Sequence, residues 1–337
     1  MGTLQGIKIG LWVIRVFPAW TLRPLPTLLG FIFYLAYATR RRIIIANQRQ
    51  VLGAVSGLRL HWNALRVVIN LFRGYHVLAR LVEMTDEQIR GGVELCGEEH
   101  LRDALARGRG VIILGAHIAG YNILAPFTAL YHSPSGTFVE AVRPPELFDF
   151  VSKLRARTGL QLFPVDREGA LGAMRLLKGN GVLMVAGDRY LGKNGTLVRL
   201  FGRPTYLSHG PIVLSQRSGA PILPARLRRL PDGRLSTVLQ PPLQLLDTGR
   251  RREDLAANMR LLAGALEETI RAVPDQWLVA APVWSTDPAG QEAATLAVEA
   301  AYQPLLNRPA TRWLGGGGFL LACLTWARRR SAGRDEG

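Results

Sequence analysis

Apolar residues fill most of the first forty positions, broken by single charges at Lys8, Arg15 and Arg23. The longest charge-free piece of this region, 24–39, falls short of the ~20 apolar residues a spanning helix needs and carries two prolines near its start. It predicts a helix lying in a membrane interface, or dipping into it, rather than a true span; on insertion, Arg40, Arg41 and Arg42 would hold that end on the cytoplasmic side. Over 58–82 the period becomes helical, with Leu65, Val68, Ile69, Phe72 and Leu78 on the apolar face. Arg59, Arg66, Arg73 and Arg80 recur every seven residues along it. That spacing drifts only ~20° per step and makes one basic stripe.

From residue 93 the pattern changes to short apolar runs alternating with helical stretches. It predicts strands over 111–114, 137–142, 160–165, 182–186, 222–227 and 236–239. Helices are predicted over 98–107, 123–131, 145–157, 169–178, 210–219 and 254–273. Residues 110–139 contain no Asp, Glu, Lys or Arg, yet Gly115, Gly120, Asn122, Pro126 and the Ser133–Pro134 break cut them into strand and helix lengths rather than a span. Residues 192–203 read as a basic loop. Strand–helix alternation at this spacing indicates an α/β fold with a mostly parallel mixed sheet flanked by helices, behind an N-terminal membrane-associated helical region. The corresponding division is 1–90 for apolar and basic docking helices, 91–287 for the α/β domain, and 288–337 for a partly flexible tail with a Gly315–Gly318 run.

Charge sharpens this picture. The 337 residues carry a formal net charge of +17 and a mean hydropathy of +0.12. The first acidic residue is Glu83, after eleven basic ones. An ordinary solvated surface mixes the signs, so an acid-free, basic and apolar N-terminal third points to an anionic membrane surface. A solvated helix face is the plainer account of the stripe. Nucleic acid is disfavoured, since no base-reading motif accompanies the charge. Cys96 and Cys323 form neither a CxxC pair nor a zinc pattern, which fits a reducing compartment.

Nucleotide and metal motifs are absent from the chain. Gly115 and Gly120 have P-loop separation, but Tyr121 and Asn122 stand where Lys and Ser or Thr are required. No GxGxxG, HExxH or GxSxG occurs, so no cofactor or metal is expected. What remains is His117, delivered by the small-residue turn Gly115–Ala116 at a strand end, where α/β sheets collect reacting groups. His117 reads either as a general base or as a structural histidine. A second strand end bears Asp188 and Arg189. Arg143, Arg155, Lys193, Arg199 and Arg203 supply cations for an anionic substrate, each on its own equally readable as a surface charge.

Several segments together resemble the bacterial lipid A biosynthesis acyltransferase family, the lauroyl and myristoyl acyltransferases. That family includes the phosphatidylinositol mannoside acyltransferases and sits within the glycerolipid acyltransferase group. The segments are Arg42–Asn47, Cys96–Leu101 leading to Arg107–Ile112, His117, Arg155 before Gly159, Gly187–Arg189, Leu200–Pro204, Gly219–Pro224 and Pro274–Trp277. The resemblance implies an acyltransferase in which His117, the histidine of an H-x4-D/E motif, deprotonates an acceptor hydroxyl. The hydroxyl then attacks the thioester of an acyl carrier protein or coenzyme A, and the acceptor is a membrane glycolipid on the cytoplasmic face. The departure is Asn122, where the motif has a carboxylate. Either another carboxylate, first of all Asp188, supplies the charge, or the site is slow, or the protein binds lipid or acyl carrier without catalysis. A membrane-surface glycosyltransferase is the more distant alternative, for which no nucleotide-sugar site is seen.

Overall fold

The computed structural model describes residues 24–81, 83–140, 158–190 and 195–284. Three helices open it: α1 (Leu25–Ala36), α2 (Ala38–Leu52) and α3 (Gly57–Arg80). Ser56 caps α3 by accepting the Arg59 backbone N–H. The α1–α3 contact is close because Gly30 has no side chain. A Cβ there would stand 2.8 Å from the Ile69 Cα. Around this crossing Phe33, Tyr34, Ile44, Ala64, Val67 and Val68 form a small core of their own. Among the described residues no helix is long and apolar enough to cross a membrane.

The α/β part follows as α4 (Asp86–Gly91), β1 (Val93–Cys96), α5 (Glu98–Ala106), β2 (Val111–Gly115), α6 (Tyr121–Tyr131) and β3 (Ser135–Val139). Then come β4 (Gln161–Pro164), α7 (Arg167–Lys178), β5 (Val182–Ala186) and the hairpin β6 (Gly195–Leu200) with β7 (Arg203–Ser208). The last elements are α8 (Gly210–Ser218), β8 (Ile222–Arg229), β9 (Leu235–Leu239), α9 (Arg251–Ala272) and a 3-10 turn, Pro274–Gln276.

Seven strands form one sheet in the order β1-β9-β8-β2-β5-β3-β4. Every pairing is parallel except β8 with β9. The central strands β2 and β5 are near-continuous apolar runs covered on both faces, as a parallel sheet requires. After β2 the chain passes beyond the neighbouring position to β3 and β4, and β5 returns to fill the gap between β2 and β3. The carboxyl ends of β2 and β5 therefore lie side by side where the winding changes direction, the usual place for a site in an open sheet.

Most predicted elements appear within a few residues of their expected bounds, with two differences. The expected basic loop over 192–203 is, over its described part, an antiparallel hairpin, β6 with β7. Its inward residues Val198 and Leu200 alternate with the outward Leu197 and Arg199, a period-2 signal that the interspersed cations obscure. Helices α2 and α4 and strand β1 were not anticipated. The predicted helix 145–157 and the end of the strand at 140–142 fall, apart from Glu140, outside the described residues.

Gly30→Val should force α1 away from α3. Overpacking of this kind costs about 1–3 kcal/mol, and it should register as a lowered denaturation midpoint with the α/β core intact.

Candidate active site

Strands β2 and β5 pair so that Val111 faces Val182 and Gly115 faces Ala186. Two residues further on, the same register sets His117 opposite Asp188. The His117 Nδ1 lies 2.7 Å from the Asp188 Oδ1. A carboxylate only accepts, so Nδ1 carries the proton and donates, which leaves the lone pair on Nε2. The His117 side chain is 22% exposed and that of Asp188 is wholly buried.

Two more donors satisfy Asp188. Its Oδ2 accepts the His117 backbone N–H at 3.0 Å and the Trp277 indole N–H at 2.7 Å. Burial works against the Asp188 charge, but the facing His117 imidazole and these three hydrogen bonds hold its carboxyl below the usual carboxylate range.

The His117 turn is clamped from the other side by the segment after α9. The Leu278 N–H donates to the His117 carbonyl at 2.8 Å, and the Ala119 N–H donates to the Gln276 carbonyl at 2.8 Å. Ile118 and Trp277 form a bridge between them. Gly120, with φ +101°, lets the chain turn sharply into α6. A Cβ there would approach Leu235 Cδ1 to 2.8 Å. The Tyr121 ring then stands edge-on to His117, with centroids 5.7 Å apart.

Asn122 is buried at the first turn of α6 and its Nδ2 donates to the Gly74 carbonyl of α3 at 3.2 Å. The carboxylate on the His117 ring nitrogen is thus Asp188, and the Asn122 amide nitrogen is spent on α3. Of the expected cations, Arg189 points its guanidinium at Glu140, 3.4 Å away. Arg199 donates to the Gly202 carbonyl at the tip of the β6–β7 hairpin, and Arg203 is exposed in the same tip. No hydrogen bond or ion pair joins Arg199 or Arg203 to His117 or Asp188. Strand pairing places both on a hairpin whose tip is fastened through Phe201 to Glu267 of α9 and Gln50 of α2. Arg143, Arg155 and Lys193 lie outside the described residues.

Trp277 and Tyr121 were not assigned a role from the sequence. Trp277 stood within one of the quoted segments, and nothing in its spacing from Asp188 tells that the two meet. Tyr75 of α3 also belongs to this rim, within electrostatic reach of Tyr121, Arg40 and Arg189.

Among the described residues no group of three His, Cys, Asp or Glu side chains is placed to hold a metal ion. A family model described as bacterial lipid A biosynthesis acyltransferase matches residues 6–286. A phosphatidylinositol mannoside acyltransferase of Mycobacterium tuberculosis is 27% identical over 194 residues, covering 57% of this chain and 60% of that protein. The match thus spans about three fifths of that relative's length. A phosphatidylinositol mannoside acyltransferase of Mycolicibacterium smegmatis is 24% identical over 64% of this chain and 70% of its own. A lipid A biosynthesis lauroyltransferase of Escherichia coli is 25% identical over 61% and 66%.

The lowered carboxyl of Asp188 contributes stability that is complete above its unfolded value of 3.8 and is lost as pH falls through its folded value below that. The stability advantage of the wild type over Asp188→Asn should hold from neutral pH to about pH 5 and shrink as the pH drops below 4, measured by urea unfolding at a series of pH values. An advantage that stays constant with pH would contradict the assignment. Asn122→Asp would bury a carboxylate and remove the donor to Gly74, so it should cost about 1–3 kcal/mol in the same assay without raising any transfer rate.

Proposed function

The chain belongs to the bacterial lipid A biosynthesis acyltransferase family, and we propose that it moves a fatty acyl chain from a thioester to a hydroxyl of a membrane glycolipid. The donor is an acyl carrier protein or coenzyme A thioester. The observation that carries this reading is the His117–Asp188 pair, with Nδ1 bonded to a fully buried carboxylate and Nε2 left as the base.

In this mechanism Nε2 takes the proton of the acceptor hydroxyl as its oxygen attacks the thioester carbonyl carbon. The C–O bond forms and an oxyanion develops on the carbonyl oxygen. Collapse breaks the C–S bond, and the leaving sulfur takes the proton from the His117 imidazolium. Asp188 stabilises that imidazolium, the task that Asn122 has no charge to perform. The departure from the motif at Asn122 supported a binding protein without catalysis. The Asp188 carboxylate on the ring nitrogen favours the enzyme. Arg189, next to Asp188, is assigned to the anionic substrate, together with Arg143, Arg155, Lys193, Arg199 and Arg203 on the same reading.

The proposed location is the cytoplasmic face of the cell membrane, with an anionic bilayer surface as partner. Support comes from α1, whose Leu28, Phe31 and Leu35 are 51%, 49% and 58% exposed and lie on one face at helical spacing. Leu58 and Trp62 near the start of α3 add exposed apolar surface. Basic residues beside such a face suit anionic headgroups.

His117→Ala should lower transfer from a radiolabelled acyl thioester to a glycolipid extract by about 10²–10⁴-fold, and Asp188→Asn by a similar factor, with the fold of both variants checked by thermal unfolding. Undiminished transfer in His117→Ala would overturn the catalytic reading.

A further inference from the structure

Two arginines of the α3 stripe have neighbours in the fold. Arg66 forms an ion pair with Asp275 at 2.8 Å, and Asn70 beside it donates to the Asp275 carbonyl at 3.0 Å. One turn further along the helix, the Arg73 guanidinium donates to the amide oxygen of Asn70 at 3.3 Å. Past it come His76 and Arg80, and opposite them Arg229 at the end of β8. The backbone of Arg229 is fixed by Gln276, whose Oε1 accepts the Arg229 N–H at 2.7 Å and whose Nε2 donates to the Arg229 carbonyl at 3.0 Å. That same Gln276 holds the His117 turn through the Ala119 N–H.

This arrangement leaves positive charge unanswered. The Nη1 of Arg229 is buried and has no hydrogen-bond partner among the described residues. Among the described residues no carboxylate pairs with Arg73, Arg80 or Arg229. Arg73 and Arg229 are close enough for the charge of Arg73 to act on Arg229, and Arg80 and Arg229 both act on His76. Burial and then these neighbouring charges hold the Arg229 guanidinium and the His76 imidazole below their ordinary ranges. A buried guanidinium N–H without an acceptor is costly, and like charges gathered without a counter-charge add to that cost. An anion relieves both.

We infer that Arg73, His76, Arg80 and Arg229 form a binding site for a phosphoryl group, set on the β8 side of the His117 turn. Three fixed positive charges approach from two elements, a helix and a strand end. A phosphoryl group offers several charged oxygens in a tetrahedral array, which can accept from guanidinium forks on different sides. A planar carboxylate would meet only one of them squarely. Because Gln276 joins this cluster to the His117 turn, a ligand whose phosphate is held here is also oriented relative to Nε2. The proposed transfer reaction provides two sources of such a group, the thioester donor and a lipid headgroup. The source of the phosphate rests on that reading, and the existence of the site does not.

The test is thermal unfolding of the full chain in neutral detergent, titrated with inorganic phosphate at constant ionic strength. The wild type should show a saturable rise in melting temperature. Arg73→Gln and Arg229→Gln should each weaken phosphate binding at least about tenfold, and the double variant should abolish the rise. Arg252→Gln, an exposed change of equal charge on α9, should retain it. Without phosphate, Arg229→Gln should melt no lower than the wild type, because the change removes like-charge repulsion; a merely structural arginine would give a drop. If that variant fails to fold, the exposed Arg73→Gln carries the test by itself. Equal stabilisation of wild type and Arg73→Gln by phosphate would overturn the site. Competition with phosphate by coenzyme A assigns the donor, and competition by dihexanoyl phosphatidylglycerol assigns a lipid headgroup. Competition by neither overturns the assignment to a substrate phosphate. All of these readouts are binding measurements, so their failure leaves the His117 assay unaffected, and the reverse holds too.

Discussion

A single buried carboxylate organises the centre of this molecule. Asp188 sits without solvent contact beneath the end of β5, and a bare charge there would be prohibitive. Its three N–H donors come from two distant parts of the chain, the His117 ring and backbone and the Trp277 indole. Satisfying that one side chain therefore fixes the turn after β2, the tautomer of the histidine and the position of the segment after α9. With Nδ1 committed to Asp188, Nε2 is the atom on which the proposed base role rests.

The Trp277 segment is held in turn by the N-terminal helices, through side chains bonded to its backbone. Gln48 donates to the Pro274 carbonyl at 2.8 Å, and Asn47 donates to the carbonyls of Val279 and Ala281 at 3.1 and 2.8 Å. Arg40 reaches the Ala280 carbonyl at 3.1 Å, and from α3 Asn70 donates to the Asp275 carbonyl while Arg66 pairs with the Asp275 carboxylate. An irregular segment buried near the core must find partners for its peptide groups, and here α2 and α3 provide them. Helix α3, which carries Leu58 and Trp62 of the proposed membrane contact and packs against α1, is thus bonded to the strap that holds Asp188. A disturbance of α1 to α3 has a direct route to Asp188 through Trp277.

Much of the α/β layer was legible in the chain. The runs at 111–114 and 182–186 are apolar throughout because both sheet faces are covered, and a buried parallel strand has that signature. Helices α3, α7 and α9 announced themselves by periodicity. The β6–β7 hairpin did not, because its outward positions mix Leu197 with cations and its inward ones are few, so that composition masked a period of two. Among the site residues, His117 and Asp188 were picked out by their place after strands, and Asp188 was the first choice to supply the missing charge. The role of Asn122 was not legible. Its spacing from His117 puts it within a motif, whereas its amide is turned to the Gly74 carbonyl, a partner 48 residues earlier.

What the sequence determines by itself is local: which runs are strands or helices, where small residues permit a turn, and which histidine ends a strand. It also determines the charge of the arginine stripe, since a spacing of seven keeps the four residues on one side of any helix. Register and strand order are not local. Only the pairing of β2 with β5 sets His117 opposite Asp188, across 71 positions of sequence. Only the return of the chain after α9 brings Trp277 to the same carboxylate. Such meetings depend on the closure of the whole core, because no short stretch carries the free energy that holds these partners together.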